Sequence, residues 1–139
     1  MAETVALNRK ARHEYLITDT FEAGLVLTGT EIKRIRGGKA NLSDAYARVE
    51  RGEAWLIGAH IAPYAEGNRF NHEPTRTRKL LLHRDQIAEL VGRTGSKGQT
   101  LVPMRLYLKR GIAKLEIGVG RGKKAYDKRV AIQERDARR

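Results

Sequence analysis

Residues 100–119 read TLVPMRLYLKRGIAKLEIGV. Two apolar-rich runs, Thr100–Lys109 and Ile112–Val119, flank the dipeptide Arg110-Gly111. A two-residue connection carrying glycine joins antiparallel strands tightly, so this stretch predicts a β-hairpin. Leu101, Met104, Leu106, Leu108, Leu115 and Ile117 are its expected core residues. The same grammar recurs upstream, where Ala45–Glu50 and Ala54–Ala62 flank Arg51-Gly52-Glu53. There Tyr46, Val49, Trp55, Ile57 and Ile61 are the core candidates. A further strand is expected from Tyr15 to Thr28, with Gly24 marking a bend or bulge, and Leu80-Leu81-Leu82 form a short buried run.

Two helices interrupt the strands. Thr28 and Glu31 have capping-box spacing, and Leu27 with Ile32 are placed for the accompanying hydrophobic staple. Ile32 and Ile35 give this helix its buried stripe, and Gly37-Gly38 stops it. A second helix is expected over Asp85–Val91, burying Ile87, Leu90 and Val91 before Gly92. Residues 63–79 read as a loop, punctuated by Pro63, Gly67, Asn68, Asn71 and Pro74. Five or six antiparallel strands with two small helices predict a mainly β fold. The expected form is a closed antiparallel β-barrel of the oligonucleotide-binding type, with short helices and a basic C-terminal tail. The expected divisions are a basic N-terminal arm over residues 1–12, the barrel over 13–120, and a tail over 121–139 that is disordered in isolation.

The chain has 139 residues, about one domain, and 28 Lys and Arg against 16 Asp and Glu give a net charge of +12. Such an excess attracts polyanions. No stretch approaches the ~20 apolar residues of a membrane-spanning helix, and the N-terminal run Val5-Ala6-Leu7 is too short for a secretory signal. A cytoplasmic protein with no membrane partner is expected. The absence of cysteine excludes disulfides, thiolate metal sites and a cysteine nucleophile.

Catalytic chemistry finds little footing. His13, His60, His72 and His83 lack metal-ligand spacing, and no metal or cofactor is expected. Gly118-x-Gly120-x-Gly122 is not a phosphate-binding loop, because it ends a strand rather than opening a helix; hinge glycines are the expected reading. An acid–base pair of His13 and His72 for RNA cleavage is the enzyme alternative, and a non-enzymatic binder is the expectation.

The cations fall into four clusters: Arg9, Lys10 and Arg12 beside His13; Lys33, Arg34, Arg36 and Lys39 at the end of the first helix; Arg76, Arg78 and Lys79; and the tail. The tail carries eight Lys and Arg against three acidic residues. Cations complement a helix C-terminus by themselves, so no single cluster requires a ligand. Four clusters with Tyr126, His13 and His72 among them suit RNA, which needs charge for its phosphates and flat partners for unstacked bases.

Several blocks of the chain carry a family resemblance almost end to end. They are Asn8-Arg-Lys-Ala-Arg-His-Glu-Tyr15, Phe21-Glu-Ala-Gly24, Gly29-Thr-Glu-Ile-Lys33 with Arg36, Gly37 and Lys39, and Pro74-x-Arg76-x-Arg-Lys-Leu-Leu-Leu-His83. Thr100-Leu-Val-Pro103 and Gly122-Lys-Lys-x-x-Asp-Lys-Arg129 complete the set. In these the chain resembles the SmpB family, partners of transfer-messenger RNA (tmRNA) in bacterial ribosome rescue. The resemblance implies a protein that grips the tRNA-like domain of tmRNA and delivers it to stalled ribosomes for trans-translation. It implies alanyl-tmRNA with the GTP-bound elongation factor, and the small-subunit ribosomal RNA, as partners. It places RNA contacts at Asn8, Arg12, Glu31, Lys33, Arg36 and Arg76. It places the ribosome-binding tail motif at Lys123, Lys124, Tyr126, Asp127, Lys128 and Arg129, expected to enter the empty mRNA channel. Family tails often continue further beyond this motif. The alternative is a general RNA-binding or ribosome-associated barrel protein without tmRNA specificity.

Overall fold

The computed structural model describes residues 2–63, 72–95 and 98–123. The hairpin expected at 100–119 is its spine. Strand β8 (Thr100–Lys109) pairs antiparallel with β9 (Ile112–Gly122). Arg110 and Gly111 both have positive φ, at 54° and 78°, as a tight hairpin turn matched to strand twist requires. Leu101, Met104, Leu106, Leu108, Leu115 and Ile117 are all buried.

On one side of this hairpin lies β1 (Ala2–Leu7), paired with β8. On the other lies β2 (Tyr15–Leu25), paired with β9 from Tyr15↔Gly122 to Gly24↔Lys114. Strands β4 (Tyr46–Glu50), β5 (Glu53–Ile57) and β7 (Arg78–Leu81) complete a seven-stranded sheet in the order β1-β8-β9-β2-β7-β5-β4. A two-stranded ladder joins β3 (Ala40–Asn41) to β6 (His60–Ile61). Three helices punctuate the chain: α1 (Ala11–Glu14), α2 (Gly29–Arg36) and α3 (Arg84–Gly95).

The fold is mainly β and antiparallel, as expected, but the sheet is not hydrogen-bonded into a closed barrel. Its edges, β1 and β4, are not paired with each other. The sheet curls until β4 lies near β8, and α3 packs against both. Leu90 of α3 is fully buried in the shared core. The β4 edge alternates exposed Tyr46, Arg48 and Glu50 with more buried Ala47 and Val49, a pattern that keeps an edge strand from accepting a partner.

Other expectations are revised. Ala2–Leu7, assigned to a basic arm, forms a sheet edge because Ala6 is buried and Val5 packs on the core; a run this short of large apolar residues hides its strand character. Tyr46 is 49% exposed rather than in the core, Leu81 and Val91 are likewise exposed, and α3 runs through Gly92 to Gly95. Gly118 and Gly120 do not form a hinge but lie within β9. A Cβ at Gly120 would stand 1.9 Å from the carbonyl oxygen of Leu16, and one at Gly118 would stand 2.7 Å from Met104 Sδ. These glycines let β2 cross β9 closely, next to a small cluster of Ala11, Val102 and Met104.

Candidate nucleic-acid interface

Helix α2 starts as its sequence dictates. The Glu31 backbone N–H donates to Thr28 Oγ1 at 3.4 Å, and the Thr28 backbone N–H donates to Glu31 Oε1 at 2.9 Å, closing the capping box. Glu31 and Ile35 are fully buried, whereas Lys33 and Arg36 are exposed. The helix therefore turns its cations outward while anchoring on an acid.

That acid is the centre of a buried network. Arg76 Nη2 donates to Glu31 Oε1 at 2.7 Å, and Arg78 Nε donates to Oε2 at 2.5 Å. Arg78 is itself 0% exposed. Its other nitrogens donate to the carbonyls of Ala59 at 2.8 Å, Arg76 at 2.9 Å and Pro74 at 3.1 Å. One guanidinium thus ties α2, the β5–β6 connection and the 73–76 turn together. Burial pushes the Glu31 carboxyl upward, but Arg76, the Thr28 N–H and Arg78 more than reverse this, leaving it below the usual carboxylate range. Burial lowers Arg78 against the opposing pull of Glu31; a guanidinium still keeps its charge.

Both oxygens of Glu31 accept hydrogen bonds and the residue is fully buried, so in this structure it caps α2 and holds Arg76 and Arg78. Arg76, with its side chain 36% exposed, reaches the surface from the same network. Arg78, expected in a surface patch, is interior because it satisfies the Glu31 carboxylate and carbonyls of two further segments. Lys79 is paired with Glu53 at 3.1 Å.

Along the C-terminal half of β2, an open cleft of about 490 Å³ is lined by Glu22, Leu81, Leu82, His83, Gln86 and Lys114. Sequence reasoning did not single it out, since its residues come from β2, β7, β9 and the start of α3. Leu81 is 54% exposed there. Glu22 accepts a hydrogen bond from the buried Tyr107 hydroxyl. That bond, with Lys109 and Lys114 nearby, holds the Glu22 carboxyl below its ordinary range against desolvation. Burial and Glu22 together raise Tyr107 above the ordinary phenol value. The cleft offers an ionised acceptor, a lysine, a histidine, an amide and an exposed apolar side chain, a set suited to base edges as well as phosphates.

Asn8 and Arg12 lie elsewhere. The Asn8 side-chain amide donates to the Pro103 carbonyl at 2.9 Å, seating the start of α1 against β8. Arg9, Lys10, Arg12 and His13 are exposed on and before that helix. Because Tyr15 pairs with Gly122 and Leu16 with Arg121, the fold sets this N-terminal cluster beside Arg121 and Lys123. None of Arg9, Lys10, Arg12 and Arg36 forms an ion pair with another described residue. Lys124, Tyr126, Asp127, Lys128 and Arg129 lie outside the described residues.

The two histidines of the enzyme alternative are on different elements. His13 is on α1, whereas His72 Nε2 lies 2.8 Å from the Ile61 carbonyl and Nδ1 lies 2.8 Å from Thr30 Oγ1. A carbonyl only accepts, so Nε2 carries a proton and donates to it. Both ring nitrogens are thereby engaged in joining α2 to β6. Among the described residues no cluster of His, Asp or Glu is arranged to hold a metal, and no helix is long and apolar enough to cross a membrane.

Comparison with known proteins covers nearly the whole chain. The family model described as SmpB protein matches residues 5–139. An SsrA-binding protein of Bacillus pumilus (strain SAFR-032) is 58% identical over 137 residues, covering 99% of this chain and 88% of the relative. One of Halalkalibacterium halodurans is 58% identical, covering 99% of this chain and 89% of the relative. Among solved structures, a chain described under "tmRNA-SmpB: a journey to the center of the bacterial ribosome" aligns with a TM-score of 0.71 and 48% identity. That alignment covers 86% of this chain and 84% of the other.

Proposed function

The chain belongs to the SmpB family, and from that premise we propose that it binds the tRNA-like domain of tmRNA and brings it to stalled ribosomes for trans-translation. The relatives' naming as SsrA-binding proteins and the likeness to a chain from a tmRNA–SmpB study on the bacterial ribosome support this reading. The curled antiparallel sheet is in keeping with an oligonucleotide-binding-type origin. Alanyl-tmRNA in company with the GTP-bound elongation factor is the cargo, and the cytoplasm is the place of action.

One observation carries the division of labour. Cations that reach the surface gather at the two ends of β2, an 11-residue strand that spans roughly 30 Å. At its C-terminal end stand Lys33 and Arg36 on α2, Arg76, and the cleft of Glu22, His83 and Lys114. This pole holds the tRNA-like domain, with Glu31 acting through Arg76 and the helix cap. At the N-terminal end stand Asn8, Arg9, Lys10 and Arg12, beside the root of the tail at Arg121 and Lys123. This pole faces ribosomal RNA of the small subunit, and Lys124, Tyr126, Asp127, Lys128 and Arg129 continue it into the empty mRNA channel.

A gel-shift titration of the full chain against the tRNA-like domain of tmRNA and an RNA duplex of equal length tests the proposal. At matched salt the folded domain binds at least tenfold tighter. Equal affinities leave only phosphate binding and reduce the protein to a general RNA binder.

A further inference from the structure

The buried network around Glu31 contains two guanidiniums and one carboxylate, yet only one of the three groups reaches solvent. Arg78 and Glu31 are 0% exposed, and the Arg76 side chain is 36% exposed. Glu31 divides its oxygens, giving Oε1 to Arg76 and Oε2 to Arg78. If Arg76 faced Glu31 alone, the pair would be neutral, and a phosphate approaching Arg76 would meet no net charge. With Arg78 behind, the trio carries one net positive charge, and its exposed outlet is Arg76. Among the described residues, the other acceptors of Arg78 are backbone carbonyls and not a second acid. The Arg76 carbonyl is one of them, so main chain and side chain of Arg76 are both fixed.

We infer that Arg78 is a positioning residue for RNA binding that never touches RNA: it occupies half of the Glu31 carboxylate and so leaves the surface guanidinium of Arg76 electrostatically available to a phosphate. The inference rests on the proposed RNA contact at Arg76. It separates charge from scaffolding, because a purely structural Arg78 would act on stability without altering how many phosphates are neutralised.

The salt dependence of binding to the tRNA-like domain of tmRNA reads that number, since each neutralised phosphate contributes about one to the slope of log K against log salt. In the full chain, Arg76→Ala is expected to lower the slope by about one, and Arg78→Met to do the same with Arg76 still present. The double variant Glu31→Gln with Arg78→Met removes one buried charge of each sign, a replacement that folds tolerate, and its slope is expected to return to the wild-type value. An Arg78→Met protein that is folded, by its circular dichroism, but keeps the wild-type slope overturns the inference. So does a double variant whose slope stays at the Arg76→Ala level, a comparison that stands even if Arg78→Met alone does not fold. An unchanged slope in Arg76→Ala removes the phosphate contact beneath the inference. The wider reading is then still decided separately, by whether the wild-type protein prefers the tRNA-like domain over duplex.

Discussion

Gly120 shows how much one missing side chain can decide. With 1.9 Å between a hypothetical Cβ and the Leu16 carbonyl oxygen, any substitution must push backbone against backbone where β2 and β9 pair. Gly120→Ala is expected to cost about 4 kcal/mol or more, the exceptional end of single substitutions. Gly118→Ala meets the flexible end of Met104 first and should cost less, while Gly122→Ala, with nothing within 4 Å, stays near wild type. Thermal melts of the three variants should keep that order. Glu31 gives a second test. Its carboxyl pKa is lower in the folded chain, so its charge stabilises the fold above the ordinary carboxylate value of about 4.3. That contribution is lost as pH falls through the lowered value. Glu31→Gln strands the buried Arg78 charge and should cost about 3–5 kcal/mol at pH 7. Urea unfolding across pH 2–7 should then show a weaker acid dependence than in wild type.

At the scale of elements, both long hairpins turn on Arg-Gly pairs in which each residue has positive φ: 54° and 75° at Arg51-Gly52, 54° and 78° at Arg110-Gly111. Glycine accepts this freely, whereas an arginine there is uncommon, and asparagine adopts the left-handed region several-fold more readily. Arg51→Asn and Arg110→Asn are each expected to stabilise by about 0.5 kcal/mol, measurable as a higher urea midpoint with unchanged m-value. These turns were legible in the sequence because their signal is local, as was the Thr28–Glu31 cap. What was hidden depended on partners distant along the chain. Strand β1 needed β8 to reveal it, and Gly118 and Gly120 read as a hinge until β2 was laid across them. Arg78 looked like one more surface cation because nothing in its neighbours announces five backbone and side-chain acceptors drawn from other segments. The open sheet was equally invisible, since closure depends on whether two edges meet, and α3 packs where β4 nears β8.

Over the whole molecule, the fold draws some of the cations behind the +12 net charge into ion pairs. Arg48, Arg93 and Lys79 are engaged with Glu50, Asp19 and Glu53, and surface pairs of this kind add little stability but take those cations out of competition for RNA. Other cations that reach the surface concentrate at the ends of β2, with the N-terminal cluster and the tail root brought together by the pairing of Tyr15 with Gly122. Sequence distance had kept them apart as separate patches. If the poles serve different RNAs, their variants must separate. Lys33→Ala with Arg36→Ala should weaken binding to the tRNA-like domain about tenfold, on the order of 1.4 kcal/mol. Arg9→Ala, Lys10→Ala and Arg12→Ala combined should leave that affinity within about twofold, inside the ~0.5 kcal/mol usual for surface changes away from a contact. The same triple variant should nonetheless reduce the co-sedimentation of preformed protein–tmRNA complex with stalled ribosomes, and with it the tagging of stalled chains. Both measurements follow from one geometric fact, the length of β2 between the clusters. A triple variant that loses tRNA-like-domain affinity as severely as the α2 pair would show that a single RNA spans both poles, and the division between them would fall.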